Sequence, residues 1–311
     1  MTKKPTLKKE NQVLIDGFLE HLKTLNYSEH TVKSSNYNLK FYFIWLESEG
    51  IKLIKTNTET INNYFKKLTT QRNQNTGNGL SNTYLNKIVF VIQLFYIFLR
   101  LTEPVEVKKK YQMPSFPKFK KASFKVEVLS KEEVQILLNA CEKTLLGRRD
   151  KAMILLYYSC GLRRQEATNL NLEDVDFGRG TLFISKSKTH HQRFVFMGAN
   201  TQLALEEYVF NVREKLSSNA NKETPFLLTE SGKRLSVYSA TYIFKKTLAQ
   251  TKNTVLIAKK PSLHTLRHSI ATHLLQAGMK LDNIALFLGH RSLDSTQIYT
   301  HLSQKCEAHG Q

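Results

Sequence analysis

The sequence predicts a mainly α-helical protein in two parts: an N-terminal four-helix bundle, then a mostly helical domain with a small antiparallel β-sheet. Three observations predict it. Apolar residues recur at three- and four-residue steps along most of the chain. Short strand-like runs appear only around residues 181–197. A segment rich in proline and lysine divides the chain after its first third. The length of 311 residues agrees, because a single core rarely grows past roughly 250–300 residues. A hydrophobic content of 41% suffices for packed cores and argues against general disorder.

The first part reads as helices. Ile15, Phe18, Leu19 and Leu22 fall at helical spacing. Ser28 is placed to cap a second helix whose repeating face carries Leu39, Tyr42, Trp45 and Leu46. A shorter helix is expected over 59–68, a polar loop over 70–81 and a fourth helix over 81–101. The run 88–99 is the most apolar of the chain, but it is shorter than the ~20 residues of a membrane span. Gln93 interrupts it, so it reads as a buried helix and no membrane association is expected.

Residues 103–126 differ in character. Pro104, Pro114 and Pro117 forbid a continuous helix, and Lys108, Lys109, Lys110, Lys118, Lys120 and Lys121 make the segment strongly basic. It reads as an extended linker between a helical domain, 1–102, and a second domain, 127–311. In the latter, Ser130 and Glu133 form a capping-box pattern that opens a helix to about 143. Helices follow over 148–159 and, after a break at Gly161, over 163–170. Strands are expected over 181–186 and 193–197 around a polar turn, 187–192. Further helices are expected over 201–216, 236–251, 266–277, 281–288 and 293–302. No internal repeat of 20–50 residues is present.

Lys and Arg number 46 against 26 Asp and Glu, a net charge of +20. Such a surplus points to a polyanion, nucleic acid before an anionic membrane. Residues 1–126 hold 21 of the basic and 9 of the acidic residues, so both halves are basic, as expected if both touch the same partner. Cys141, Cys160 and Cys306 form no Cys-x-x-Cys pair. That fits a reducing cytoplasm without a disulfide framework or zinc knuckle. No apolar run follows the charged N-terminus, so no signal peptide is read. A cytoplasmic location is expected.

Phosphate-loop, dinucleotide-binding and zinc-protease signatures are absent. A polar set in the helical second domain stands out instead. Gly161-Leu-Arg-Arg-Gln-Glu166 places Arg163 after a glycine break, where a helix start would aim N–H groups and a guanidinium at an anion. Read alone, Arg163 and Glu166 are equally a surface i,i+3 ion pair. Lys188 lies in the turn between the two strands. His264 and Arg267 lie one helical turn apart and can face one point. His264 and His268 have metal-ligand spacing, but no third ligand follows and Arg267 between them would repel a cation. His290 follows Gly289, and Tyr299 comes nine residues after it.

Taken together, this set resembles the tyrosine recombinase (phage integrase) family, including Xer-like and mobile-element integrases. The likeness is carried by the text around Gly161, by His264-Thr-Leu-Arg-His268 and by the stretch from Leu288 to Leu302. It is weaker over 12–101, where Ser28, Thr31, Leu39 and Trp45 look like the family's N-terminal DNA-binding module. The resemblance implies that Arg163, Lys188, His264, Arg267, His290 and Tyr299 are catalytic, that Glu166 supports a catalytic cation, and that no cofactor or metal is needed. Two departures stand out. Lys186 competes with Lys188 as the hairpin lysine, and Gln165 replaces a common Ser.

These residue types suit phosphoryl transfer. Two arginines can bind both non-bridging oxygens and offset the charge of a pentavalent transition state. A tyrosine, with an ordinary pKa of ~10, needs cations and a base to attack at neutral pH. His264 is the candidate base, His290 a donor to the phosphate and Lys188 the acid for the leaving 5′ oxygen. The resemblance further implies a clamp on double-stranded DNA with paired inverted half-sites, and a homotetramer on DNA from a mostly monomeric free protein. A second recombinase or a DNA-bending protein is a possible accessory. The linker lysines are candidate DNA contacts, the alternative being an ordinary solvated linker. The expected activity is site-specific recombination in integration, excision, inversion or dimer resolution. The alternatives are a type IB topoisomerase-like nicking-closing enzyme and a catalytically silent DNA-binding regulator.

Overall fold

Helices α1 (Lys9–Thr24), α2 (Glu29–Ser48), α3 (Thr58–Thr70) and α4 (Asn82–Thr102) account for the N-terminal part. The structure is a computed structural model that describes residues 7–72, 77–102, 111, 113–120, 127–185, 192–216 and 224–289. The chain separates into two units, Met1–Phe124 and Lys125–Gln311.

In the first unit, local sequence sets the helix starts. Ser28 Oγ accepts from the Thr31 amide at 3.2 Å, and Asn57 forms a capping box with Thr60, satisfying amides that lack a helical partner. Aromatic rings fill the centre. Phe95 meets Phe18 and Phe43 edge-on, each at 5.5 Å between centroids. A buried hydroxyl chain joins Tyr42 to Tyr96 at 3.1 Å and Tyr96 to Thr56. By length and composition α4 could cross a membrane, yet nine of its residues are buried in this unit. Its apolar character is that of a core helix.

Residues 113–120 of the expected linker are held by the first unit rather than spanning free. They have no regular structure, but Phe116 and Phe119 pack on the core. Asn86 exchanges two hydrogen bonds with the Phe119 backbone, at 2.7 and 3.2 Å. The Ser115 amide donates to Thr58 Oγ1 at 3.0 Å. Proline and lysine content signalled the loss of helix, but the two phenylalanines decide where the segment lies. Lys118 and Lys120 are exposed. Lys108, Lys109, Lys110 and Lys121 fall outside the described residues.

The second unit contains α5 (Lys131–Asn139), α6 (Leu145–Tyr158), α7 (Arg164–Asn169), β1 (Val175–Asp176), β2 (Thr181–Ile184) and β3 (Arg193–Phe196). It continues with α8 (Ala199–Glu207), α9 (Val237–Gln250), α10 (Thr254–Ala258), α11 (Leu263–Gln276) and α12 (Leu281–Leu288). The strands form an antiparallel sheet in the order β1-β2-β3, with Leu182 opposite Val195 and Ile184 opposite Arg193. Helix α6 is the centre of the core, and α8, α9 and α11 pack against it.

Several bounds depart from expectation for local reasons. Helix α5 stops at Asn139, because Thr144 caps the next helix by accepting from the Gly147 amide at 3.1 Å. Helix α8 passes into π-helical winding over Tyr208–Arg213, where the Tyr208 hydroxyl donates to the Phe226 carbonyl and accepts from the Leu228 amide. Helix α11 starts at Leu263, three residues early, because Ser262 and Thr265 form a capping box. Helix α10 and strand β1 are too short to leave a period. The helix expected over 293–302 lies outside the described residues.

Phe95 is fully buried between two rings. Phe95→Ala is expected to destabilise the first unit by about 3–5 kcal/mol, the usual cost of removing a core aromatic ring. Urea unfolding followed by circular dichroism checks this.

Candidate active site

The site begins where α6 ends. Gly161 sits at φ +58, and a Cβ there would come within 2.8 Å of the Phe287 ring. The chain therefore turns sharply against α12 and enters α7 with Arg163 as its N-cap. Glu166 closes the capping box, its Oε2 accepting from the Arg163 amide at 2.8 Å. The same carboxylate is 97% buried, and its Oε1 accepts from Arg163 Nη1 at 2.7 Å. The pair is thus an interior contact and not a surface one.

Two more guanidiniums reach this carboxylate. Arg193, at the start of β3, donates to Oε1 at 3.1 Å and to Oε2 at 2.9 Å. Arg267, from α11 and 1% exposed, holds Nη1 at 3.8 Å from Oε2 and donates to the Gly161 carbonyl. Burial alone would raise the Glu166 pKa. The hydrogen bonds and charge of Arg193, then the bonds from Arg163, outweigh it and hold the group at about 2. The carboxylate is ionised throughout the physiological range.

The same three arginines cap α12. Its last carbonyls lack helical partners and carry the negative end of the helix dipole. Arg193 Nε donates to the Phe287 carbonyl at 3.0 Å and Arg267 Nη2 to the Leu288 carbonyl at 2.6 Å, while Arg163 Nη2 donates to the Gly289 carbonyl. Gly289 ends the helix at φ +67, and a Cβ on it would press to 2.9 Å from Arg193 Nη1. From this anchored point the chain runs into His290.

His264 stands in the first turn of α11 with its side chain exposed at the surface. Desolvation against its neighbours lowers its pKa, and Arg267, Arg164 and Arg163 lower it further. A neutral imidazole beside guanidiniums can accept a proton. Its ring meets that of His268 edge-on at 4.3 Å between centroids. Among the described residues no three His, Cys, Asp or Glu side chains gather as metal ligands.

The fold therefore gathers Arg163, Glu166 and Arg267 directly, with His264 beside them. Lys188, Lys186, His290 and Tyr299 lie outside the described residues. Arg193 was missed as a site residue. Its signal was strand alternation: Arg193 shares the inward face of β3 with Val195, while Phe194 and Phe196 point out. A charge on an inward strand position requires a buried partner.

Three comparisons bear on this arrangement. The phage integrase family model matches residues 127–305. A tyrosine recombinase XerC from Oceanobacillus iheyensis is 34% identical, over 94% of this chain and 92% of the relative. A XerC from Anoxybacillus flavithermus is 31% identical, over 92% of each. Among solved structures, the Tn1549 transposon integrase in complex with transposon right end DNA aligns with a TM-score of 0.70, over 95% of this chain and 98% of that one, at 14% identity. XerH bound to difH substrate aligns with a TM-score of 0.68, over 100% and 98%, at 19% identity. At such identities the structural likeness is one of fold.

The carboxylate predicts an acid transition. Its folded pKa lies below the ordinary 4.5, so its contribution to stability is complete above that value and is lost as pH falls toward about 2. Urea midpoints measured against pH should fall over this window in the wild type, and Glu166→Gln should lack that component. An unchanged slope in the variant would contradict the assignment.

Proposed function

The chain belongs to the phage integrase family and is a tyrosine recombinase, a site-specific enzyme that cleaves and rejoins DNA, and we propose that Tyr299 is its nucleophile, with Arg163, Lys188, His264, Arg267 and His290 completing the active site. The observation that carries this reading is the meeting of Arg163 and Arg267 on Glu166, beside the carbonyls that lead into His290. Two guanidiniums held by one ionised carboxylate form a rigid, cationic cradle of the kind a phosphodiester requires.

The step follows from the residue types. Tyr299 Oη attacks the scissile phosphorus while His264 accepts the phenolic proton. Arg163, Arg267 and His290 hold the non-bridging oxygens as negative charge builds. The bond to the 5′ oxygen breaks, and Lys188 gives that oxygen a proton. The product is a 3′-phosphotyrosyl ester and a free 5′ hydroxyl. Attack by a 5′ hydroxyl of another strand reverses the step, so no ATP is consumed. Strand exchange joins two duplexes with two cleavage sites each, which calls for a homotetramer on paired inverted half-sites. The exposed Lys118 and Lys120, with Lys108, Lys109, Lys110 and Lys121, are placed in this reading on the DNA backbone, where contacts give salt-dependent affinity. A nicking-closing topoisomerase would share the chemistry but not the exchange between sites.

A nicked suicide duplex traps the covalent adduct and tests the nucleophile. Tyr299→Phe is expected to abolish the adduct while DNA binding in a gel-shift assay persists, because only the hydroxyl is lost. An undiminished adduct would place the nucleophile elsewhere.

The acid is tested separately. Lys188→Ala is expected to slow cleavage by about 10²–10⁴-fold, the range of a lost general acid. A 5′-bridging phosphorothioate, whose sulfur leaves without a proton, should restore the rate. Rescue of Lys186→Ala alone would move the role by two residues.

A further inference from the structure

Arg193 belongs to no part of the chemistry described above, yet it makes the fullest contact with Glu166. It gives one hydrogen bond to each carboxylate oxygen and a third, from Nε, to the Phe287 carbonyl. Its side chain is 8% exposed, so it is placed to act on its neighbours and not on solvent. Gly289 lacks the Cβ that would press on it.

Charge explains why such a residue is needed. A carboxylate accepts hydrogen bonds from a guanidinium as well as a phosphate does. A buried carboxylate next to Arg163 and Arg267 would therefore orient them and also compete with the substrate for them. Among the described residues, three positive charges face one negative charge when Arg193 is present. The surplus of two matches a phosphodiester that passes from one negative charge toward two in its transition state. Without Arg193, the surplus falls to one and the carboxylate turns its unmet demand on the other two arginines. Geometry adds a second effect. Arg193 opens β3, the strand that follows the turn expected to carry Lys188, and it bonds the end of α12, the helix that leads to His290. One side chain thus ties the two segments.

We propose that Arg193 is a positioning residue of the active site, which neutralises Glu166 and locks β3 to the end of α12, so that the carboxylate holds Arg163 and Arg267 without competing with the scissile phosphate for them. The inference rests on the active-site reading above. It assigns Arg193 no contact with DNA.

The test is a pair of variants and their combination. The probe is a nicked duplex built on the site that wild-type protein selects from a randomised DNA pool, with adduct formation followed in single turnover at saturating protein. R193Q is expected to bind this duplex within about threefold of wild type, since Arg193 is assigned no DNA contact and affinity comes from many phosphate contacts besides the scissile one. It is expected to cleave on the order of 100-fold more slowly, as when a preorganised charge is lost. Adding E166Q removes the competing charge, so the double variant should cleave faster than R193Q. An arginine that served folding alone would give no such reversal. A double variant slower than R193Q, or R193Q cutting at the wild-type rate, overturns the proposal. Thermal melts report folding. If R193Q does not fold, R193K carries the test, because it keeps the charge but cannot span Glu166 and the Phe287 carbonyl together. R193K cutting at the wild-type rate overturns the proposal, and slower cutting with unchanged binding sustains it. Wild-type protein that forms no adduct, or a Y299F adduct equal to wild type, refutes the active-site reading itself and the inference with it.

Discussion

An ionised carboxylate buried among three guanidiniums is the constraint on which the second unit depends. Glu166 is 3% exposed, and a charge in that position is tolerable only when paired and fully hydrogen-bonded. The pairing fixes its neighbours. Arg163 must leave α6 through the turn at Gly161, Arg193 must open β3 and Arg267 must lie on the inner face of α11. Each guanidinium then has further donors, and these meet the carbonyls at the end of α12. A single buried charge thereby orders a helix start, a strand, a long helix and a helix end.

Much of this was legible in the sequence, for stateable reasons. Ser28 and Ser130 announced helix starts because their hydroxyls are read directly as caps. Arg163, His264 and Arg267 were legible because spacing on helices places them toward one point. The misses have equally specific causes. Ser262 and Asn57 pair with a threonine three residues on, and the usual capping pattern calls for Glu or Gln there. The docking of 113–120 depends on Phe116 and Phe119, whose partners on α3 and α4 are distant in sequence. Arg193 depends on a strand only four residues long, where alternation is visible once the inward face is known. Local chemistry shows in a sequence, whereas long-range pairing shows only in its consequences.

The choice of arginine at all three corners also has a physical basis. A lysine could supply the same charge at Glu166, but its compact ammonium would not reach the carboxylate and a helix carbonyl together as these forked guanidiniums do. The planar fork loses little freedom in making several bonds at once. That matters where one side chain must serve a carboxylate and a backbone together. His264, by contrast, stands at the rim of the cluster, where desolvation against its neighbours and then the nearby positive charges lower its pKa.

The three carbonyls 287–289 are each met by an arginine from a different stretch of chain, at 193, 267 and 163. Two of these contacts span 94 and 126 residues and form only after the loops between them have closed. The centre is therefore a late product of folding. No fragment of the chain and no partly collapsed form can hold the cradle together, because each corner arrives with a separate element. For a protein that cuts and rejoins DNA, this ordering is a safeguard. The nascent or damaged chain keeps its positive charge and its attraction to DNA, but the arginine cluster on Glu166 is assembled only when the fold is complete.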